Sequence, residues 1–214
     1  MRSFLIIGLG RFGRIMAAKL EEQGNEVLAI DINEERVNDA LQYVSNAQIG
    51  DTTNQTFIES LGVGNFDVCV VAIGDDFQGS LETTALLKEY GAPYVVARAT
   101  RDVHKKFLGL AGADEVVYSE RETAERLAVC HGSDKVFDYM QLSDGYAIFE
   151  IAMPDAWEGK TIIDLAVRQK YGVSILAIRE NGHLNTLPSP DHVFAESETL
   201  MILGHEQDVK KLIR

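Results

Sequence analysis

Three glycines and one acid carry the first chemistry legible in this chain. Gly8-Leu-Gly10-Arg-Phe-Gly13 has the spacing G-x-G-x-x-G, and Asp31 closes the run Val27-Leu-Ala-Ile-Asp31, about 20 residues further on. Glycines so placed allow a tight turn, close backbone approach to a diphosphate, and close packing of a helix on a strand. The helix that follows would turn its unpaired N–H groups and positive dipole end toward phosphates. An acid at the second position would meet ribose hydroxyls. The chemistry on offer is nucleotide binding; the plainer reading is a glycine-rich turn in an α/β domain without a ligand.

The elements that must position these residues can be read around them. Residues 4–7 are a continuous apolar run, a buried strand, and a helical pattern then runs through Ile15, Ala18 and Leu20. Residues 47–50 read as a short strand, with Asp51-Thr-Thr at a helix start. Residues 66–74 read as a second buried strand and 80–90 as a helix. After Pro93, residues 94–98 form a strand, 103–110 a helix, 114–118 a last strand, and 119–130 a helix. This alternation predicts an α/β fold, a doubly wound parallel Rossmann-like sheet with its ligand crevice at the strands' carboxyl ends. Gly8, Asp31, Asp51, Gly74, Arg98 and Glu120 all fall at or just beyond such ends.

Near Gly132-Ser-Asp134 the pattern changes to strands at 146–153, 173–179, 183–187 and 199–204, with helical stretches at 163–171 and 206–213. Asn181-Gly182 is a hairpin signal. The expected organisation is a nucleotide-binding domain over 1–132, a linker over 133–140, and a second, smaller α+β domain over 141–214.

Bulk properties remove several classes of function. A net charge of −13 argues against a nucleic-acid partner, which needs a basic footprint, and against adhesion to anionic lipid. No apolar run is long enough to span a bilayer. Cys69 and Cys130 are too few and too far apart for a disulfide framework and read as reduced thiols. The expected location is the cytoplasm. Catalytic machinery is also missing. The five histidines are scattered, no Tyr-x-x-x-Lys pair, G-x-S-x-G elbow or Walker A sequence occurs, and no group stands out to handle a proton at a nicotinamide. The site reads as one built to bind rather than to catalyse.

These residues resemble a known family, the cytoplasmic gating subunits of Ktr and Trk potassium transporters, which carry RCK (regulator of conductance of potassium) domains. The resemblance rests on Ile7-Gly-Leu-Gly-Arg-Phe-Gly13, Leu28-Ala-Ile-Asp-Ile-Asn-Glu-Glu35, Asn65-Phe-Asp67, Val71-Ala-Ile-Gly74 and Ala111-Gly-Ala-Asp114. In the second domain it rests on Ile163-Asp-Leu and Val167-Arg-Gln-Lys-Tyr-Gly-Val-Ser-Ile-Leu-Ala-Ile178. It implies a homo-dimer assembling into an octameric or tetrameric ring under a membrane-embedded KtrB/TrkH-type subunit, peripheral to the inner face of the membrane. It implies control of potassium flux by ATP and ADP rather than turnover.

Carried onto this chain, the resemblance makes Gly8, Gly10 and Gly13 the phosphate turn, with Phe12 beside it and Arg11 reaching phosphate oxygens. Asp31, followed by Ile32, would hold the ribose and repel a 2′-phosphate. Asp51 and Thr52 would flank the adenine side, and Ile73 and Gly74 would close the pocket. Arg98 stands where Ktr proteins often carry a lysine that senses the terminal phosphate, and arginine keeps the charge but not the geometry. Ser119 and Glu122 read as a capping box. Glu120 would help hold Mg²⁺, Ca²⁺ or Na⁺ against the phosphates; its plainer reading is a solvated acid at a helix start. In the second domain, Arg168 would face a phosphate of cyclic di-AMP, with Ile162, Ile163, Ile175 and Pro188 against its adenines; the apolar residues would be core in any case. The glycine motif alone leaves a second class open, an NAD(H)-binding oxidoreductase or NAD-linked redox sensor, since NAD and ATP share an adenosine diphosphate half. A structural subunit with a vestigial pocket is a third.

Overall fold

The computed structural model describes residues 1–213. It divides into two compact units, Met1–Glu120 and Arg121–Arg214.

The first unit alternates strand and helix. Its elements are β1 (Ser3–Ile7), α1 (Arg11–Glu22), β2 (Glu26–Asp31), α2 (Glu34–Ala40), β3 (Asn46–Ile49), α3 (Gln55–Leu61), β4 (Val68–Val71), α4 (Phe77–Glu89), β5 (Val95–Arg98), α5 (Asp102–Leu110) and β6 (Glu115–Val117). The strands form one parallel sheet in the order β3-β2-β1-β4-β5-β6. The expected doubly wound parallel α/β fold is therefore what the chain adopts. The apolar runs follow from helices covering both faces. Along β1 the faces alternate: Leu5 and Ile7 pack with Ile58, Leu87 and Leu108, while Phe4 and Ile6 pack with Ala17, Val37 and Ala40. Each such fully buried Leu or Ile contributes about 1.5–3 kcal/mol over leaving it exposed. β1 and β4 sit at the centre, and the strand order reverses between them, the switch point where such sheets present a crevice. Burial pushes the Cys69 thiol up to about 12, so it carries no thiolate at neutral pH.

One helix start differs from expectation. Asp51-Thr-Thr is a turn, in which Asp51 Oδ1 accepts the Thr53 N–H at 2.9 Å. The helix begins later, where the Asn54 side chain accepts the Phe57 N–H.

α6 (Ser119–His131) starts at the end of the first unit. Its remainder groups with the second unit because Val129 and Cys130 pack against that unit's core. By contacts the division thus falls at Glu120, earlier than the 1–132 expectation. The second unit continues with β7 (Val136–Gln141), β8 (Tyr146–Ala152), α7 (Ile162–Leu165), α8 (Val167–Tyr171), β9 (Val173–Glu180), β10 (His183–Asn185), β11 (Thr199–His205) and α9 (Glu206–Leu212). Its five strands order as β10-β9-β11-β8-β7, antiparallel throughout. The smaller α+β domain is as expected, but 133–140 is not a linker: most of it is β7. A bulge between Val136 and Asp138 leaves Val136 and Tyr139 as the buried positions, so the alternation of two that marks a strand is broken. The single helix expected over 163–171 is two, because Ala166 turns left-handed at φ 46°.

Candidate functional site

Residues at or just after the carboxyl ends of all six parallel strands line one cavity of about 710 Å³. Of the positions predicted in the first unit, Gly8, Gly10, Arg11, Phe12, Asp31, Ile32, Asp51, Thr52, Ile73, Gly74, Arg98 and Glu120 face it. Gly13 does not; it lies beneath the turn.

The three motif glycines answer to different constraints. Gly8 has φ +94° and lies against the backbone of Ala72 and Ile73, where a Cβ would come within 3.0 Å. A Cβ on Gly13 would stand 1.9 Å from the Gly8 carbonyl oxygen, so α1 can meet the turn this closely only with glycine there. Gly10 is unlike both. Its φ of −63° suits any residue, and a Cβ there would meet nothing within 4 Å. The fold does not require this glycine, and the space beside it belongs to the cavity. Gly10 is also the N-cap of α1 and offers no side-chain cap, so the helix's first N–H groups keep no intrahelical partner. By contrast, α2, α3 and α4 are capped by Asn33, Asn54 and Asp76.

Asp31 is buried at 6% exposure. Its Oδ2 accepts the Leu9 N–H of the glycine turn at 2.6 Å and its Oδ1 accepts the Asn33 N–H at 2.9 Å. The acid therefore ties β2 to the turn while its outer edge faces the cavity. Thr52 is buried, and its hydroxyl is paired with that of Thr83 at 2.8 Å, which leaves Thr52 as wall rather than donor.

At the ends of β5 and β6 the cavity wall carries an ion pair. Arg98 pairs through Nη2 with Glu120, lies 5.7 Å from the Phe12 ring centre, and keeps a buried Nε with no partner. Gly74 makes room for it: a Cβ there would stand 2.8 Å from Arg98 Nη1. The backbone N–H at the start of α6, then Arg98 and Ser119, hold the Glu120 carboxyl below its usual range against the opposing effect of burial. Arg98 and Glu120 can thus offer charge-assisted hydrogen bonds to an anion and an oxygen to a cation. Among the described residues no group of three His, Cys, Asp or Glu could hold a metal ion.

Sequence reasoning missed several lining residues, including Ile15, Arg36, Asp75 and Asp76. Arg36, in the first turn of α2, carried no signal of its own, since an arginine on a charged helix reads as a solvated face. Arg168 and Pro188 lie in the second unit, where with Ile162, Ile163 and Ile175 they line a separate cavity of about 400 Å³.

A doubly wound domain with a glycine turn and a strand-end acid in one crevice, followed by a small antiparallel α+β unit, defines a class of two-domain proteins with a nucleotide-type crevice. The TrkA-N domain matches residues 4–119 and the TrkA-C domain residues 146–214. The chain belongs to the TrkA family of potassium-uptake regulatory subunits, of Ktr type. It is 40% identical over 210 residues to the Ktr system potassium uptake protein A of Bacillus subtilis (98% of this chain, 95% of that one). It is 38% identical to protein C of the same organism, with the same coverage. A solved GsuK channel bound to NAD shares the fold, with a TM-score of 0.72 at 22% identity over all of this chain and 40% of that one. The chain spans less than half the length of such channel chains. Among the described residues no helix is long and apolar enough to cross a membrane.

Proposed function

We propose that this chain is the nucleotide-sensing gating subunit of a Ktr/Trk-type potassium transporter, with ATP or ADP bound in the strand-end cavity. The observation that carries this reading is Gly10, a glycine with no structural need, set in the cavity wall at the uncapped amino end of α1. A phosphate chain approaching the backbone supplies the need. Asp31 would take the ribose, and Arg11 and the unpartnered Arg98 Nε would take phosphate oxygens. ATP and ADP differ only at the end near Arg98, so that residue and Glu120 are where the ring would tell them apart. A bound nucleotide shifts a two-state assembly only by binding one state better. The same reading includes a homo-oligomeric ring docked on a membrane-embedded potassium-transporting partner, at the cytoplasmic side.

Glu120, beside Arg98, is the carboxylate that would face a hard cation. A Mg²⁺, Ca²⁺ or Na⁺ ion there would take its other oxygens from phosphates and a second subunit. The Arg168 cavity is the matching candidate for cyclic di-AMP, read out by whether Arg168→Ala abolishes its binding.

Calorimetric titration of ligand-stripped protein with ATP, ADP and NADH, with and without Mg²⁺, tests the assignment. The expected result is tight ATP or ADP binding, weak NADH binding, and a loss of at least about tenfold (1.4 kcal/mol) on Arg11→Ala. Clear preference for NADH would move the chain to the NAD-linked reading. No binding by any of the three would leave a structural subunit.

A further inference from the structure

Among the described residues, Arg36 is the cation paired with the acid that should read the sugar. Its Nη1 lies 3.5 Å from Asp31 Oδ2, and its side chain is 50% exposed while that of Asp31 is 5% exposed. A carboxylate offers about four acceptor sites, two per oxygen. Oδ2 already takes the Leu9 N–H at 2.6 Å, and Arg36 takes its second site. Oδ1 takes the Asn33 N–H at 2.9 Å and keeps one site free. A ribose diol brings two hydroxyl donors to a carboxylate that has one acceptor left.

The two backbone bonds cannot yield, since they hold the glycine turn and the start of α2. Arg36 can: its contact is the longest of the three and its side chain reaches from solvent. We infer that Arg36 is a built-in competitor for the ribose site, seated on Asp31 when the cavity is empty and displaced when a ribose with both hydroxyls binds. The inference rests on the nucleotide reading of this cavity and adds a residue that sets sugar specificity. Arg36 dulls the preference for a diol over a single hydroxyl, because a deoxyribose needs only the free Oδ1 site. An ion pair this long, with its cation half in solvent, is worth about 1 kcal/mol or less, as solvent-screened pairs are, so the competition amounts to a factor of up to about five.

The test compares affinities for ATP and 2′-deoxy-ATP in the wild type, Arg36→Gln and Arg36→Lys by calorimetry on the full chain. Removing the guanidinium also removes a charge, but that weakens both nucleotides alike and cancels in their ratio. The expected outcome is a ratio favouring ATP that rises about two- to fivefold in Arg36→Gln and less in Arg36→Lys, which keeps the charge. A ratio that stays the same or falls in Arg36→Gln, with both nucleotides still bound, overturns the inference and leaves the nucleotide site standing. Failure of the wild type to bind either nucleotide overturns both.

Discussion

Gly10 and Gly13 share a motif and answer to different demands, which gives a paired prediction. Gly10→Val should keep the fold within about 1 kcal/mol, the scale of an N-cap exchange, while weakening ATP at least about tenfold. Gly13→Ala should cost about 3 kcal/mol or more, because its Cβ would strike the Gly8 carbonyl. Urea denaturation and calorimetry on the two variants separate these effects; an unstable Gly10→Val would remove the argument from Gly10. His104 gives a pH prediction. It is fully buried, its Nδ1 accepts the Thr100 N–H at 3.4 Å, and its Nε2 then donates to Ser80 Oγ at 2.6 Å. Burial, with Arg101 nearby, holds its pKa below the ordinary 6.5. The unfolded chain therefore binds more protons just below 6.5, so this contribution is complete above 6.5 and is lost as pH falls toward the folded value. Stability should slope upward with pH in that window by at most about 1.4 kcal/mol per unit. His104→Gln should flatten the slope in urea midpoints measured across it; an unchanged slope would assign it to other groups. The candidate site was legible at this scale where the backbone demands a residue type, as at Gly8, or where an acid closes a strand, as at Asp31. Arg36 was not, since a half-exposed arginine on a helix looks like a solvated face until its distance to Asp31 is known.

At the scale of elements, the parallel sheet was readable because strands covered on both faces show unbroken apolar runs, as in 4–7 and 68–71. Helix starts were read less well: the Asp51 turn imitates a cap, and the true cap is Asn54. In the second unit, Asn181 and Gly182 both take positive φ, as an Asn-Gly hairpin should. β7 was hidden because its bulge puts Val136 and Tyr139 inward at a spacing that is not a strand's. The break between α7 and α8 was hidden because alanine is a strong helix former and only the surrounding fold forces Ala166 to φ 46°. Left-handed backbone costs a non-glycine residue about 1–2 kcal/mol, against about 0.5–1 for the added freedom of glycine when unfolded. Ala166→Gly should therefore raise stability by about 0.5 kcal/mol, seen as a higher urea midpoint at unchanged slope. A lower midpoint would show that the turn is not strained.

For the whole molecule, the family gives the setting, and under the proposed function the cavity would supply the switch. The chain matches Ktr system potassium uptake proteins over 98% of its length, and the strand-end cavity holds the side chains on which the proposed response to nucleotide rests. Potassium flux into liposomes carrying the membrane partner, with this protein added in ATP or in ADP, tests the central claim most directly. The account predicts faster flux with ATP than with ADP, and no difference between the two with Gly10→Val. Equal flux in ATP and ADP with the wild type, or a full nucleotide response from Gly10→Val, would contradict it.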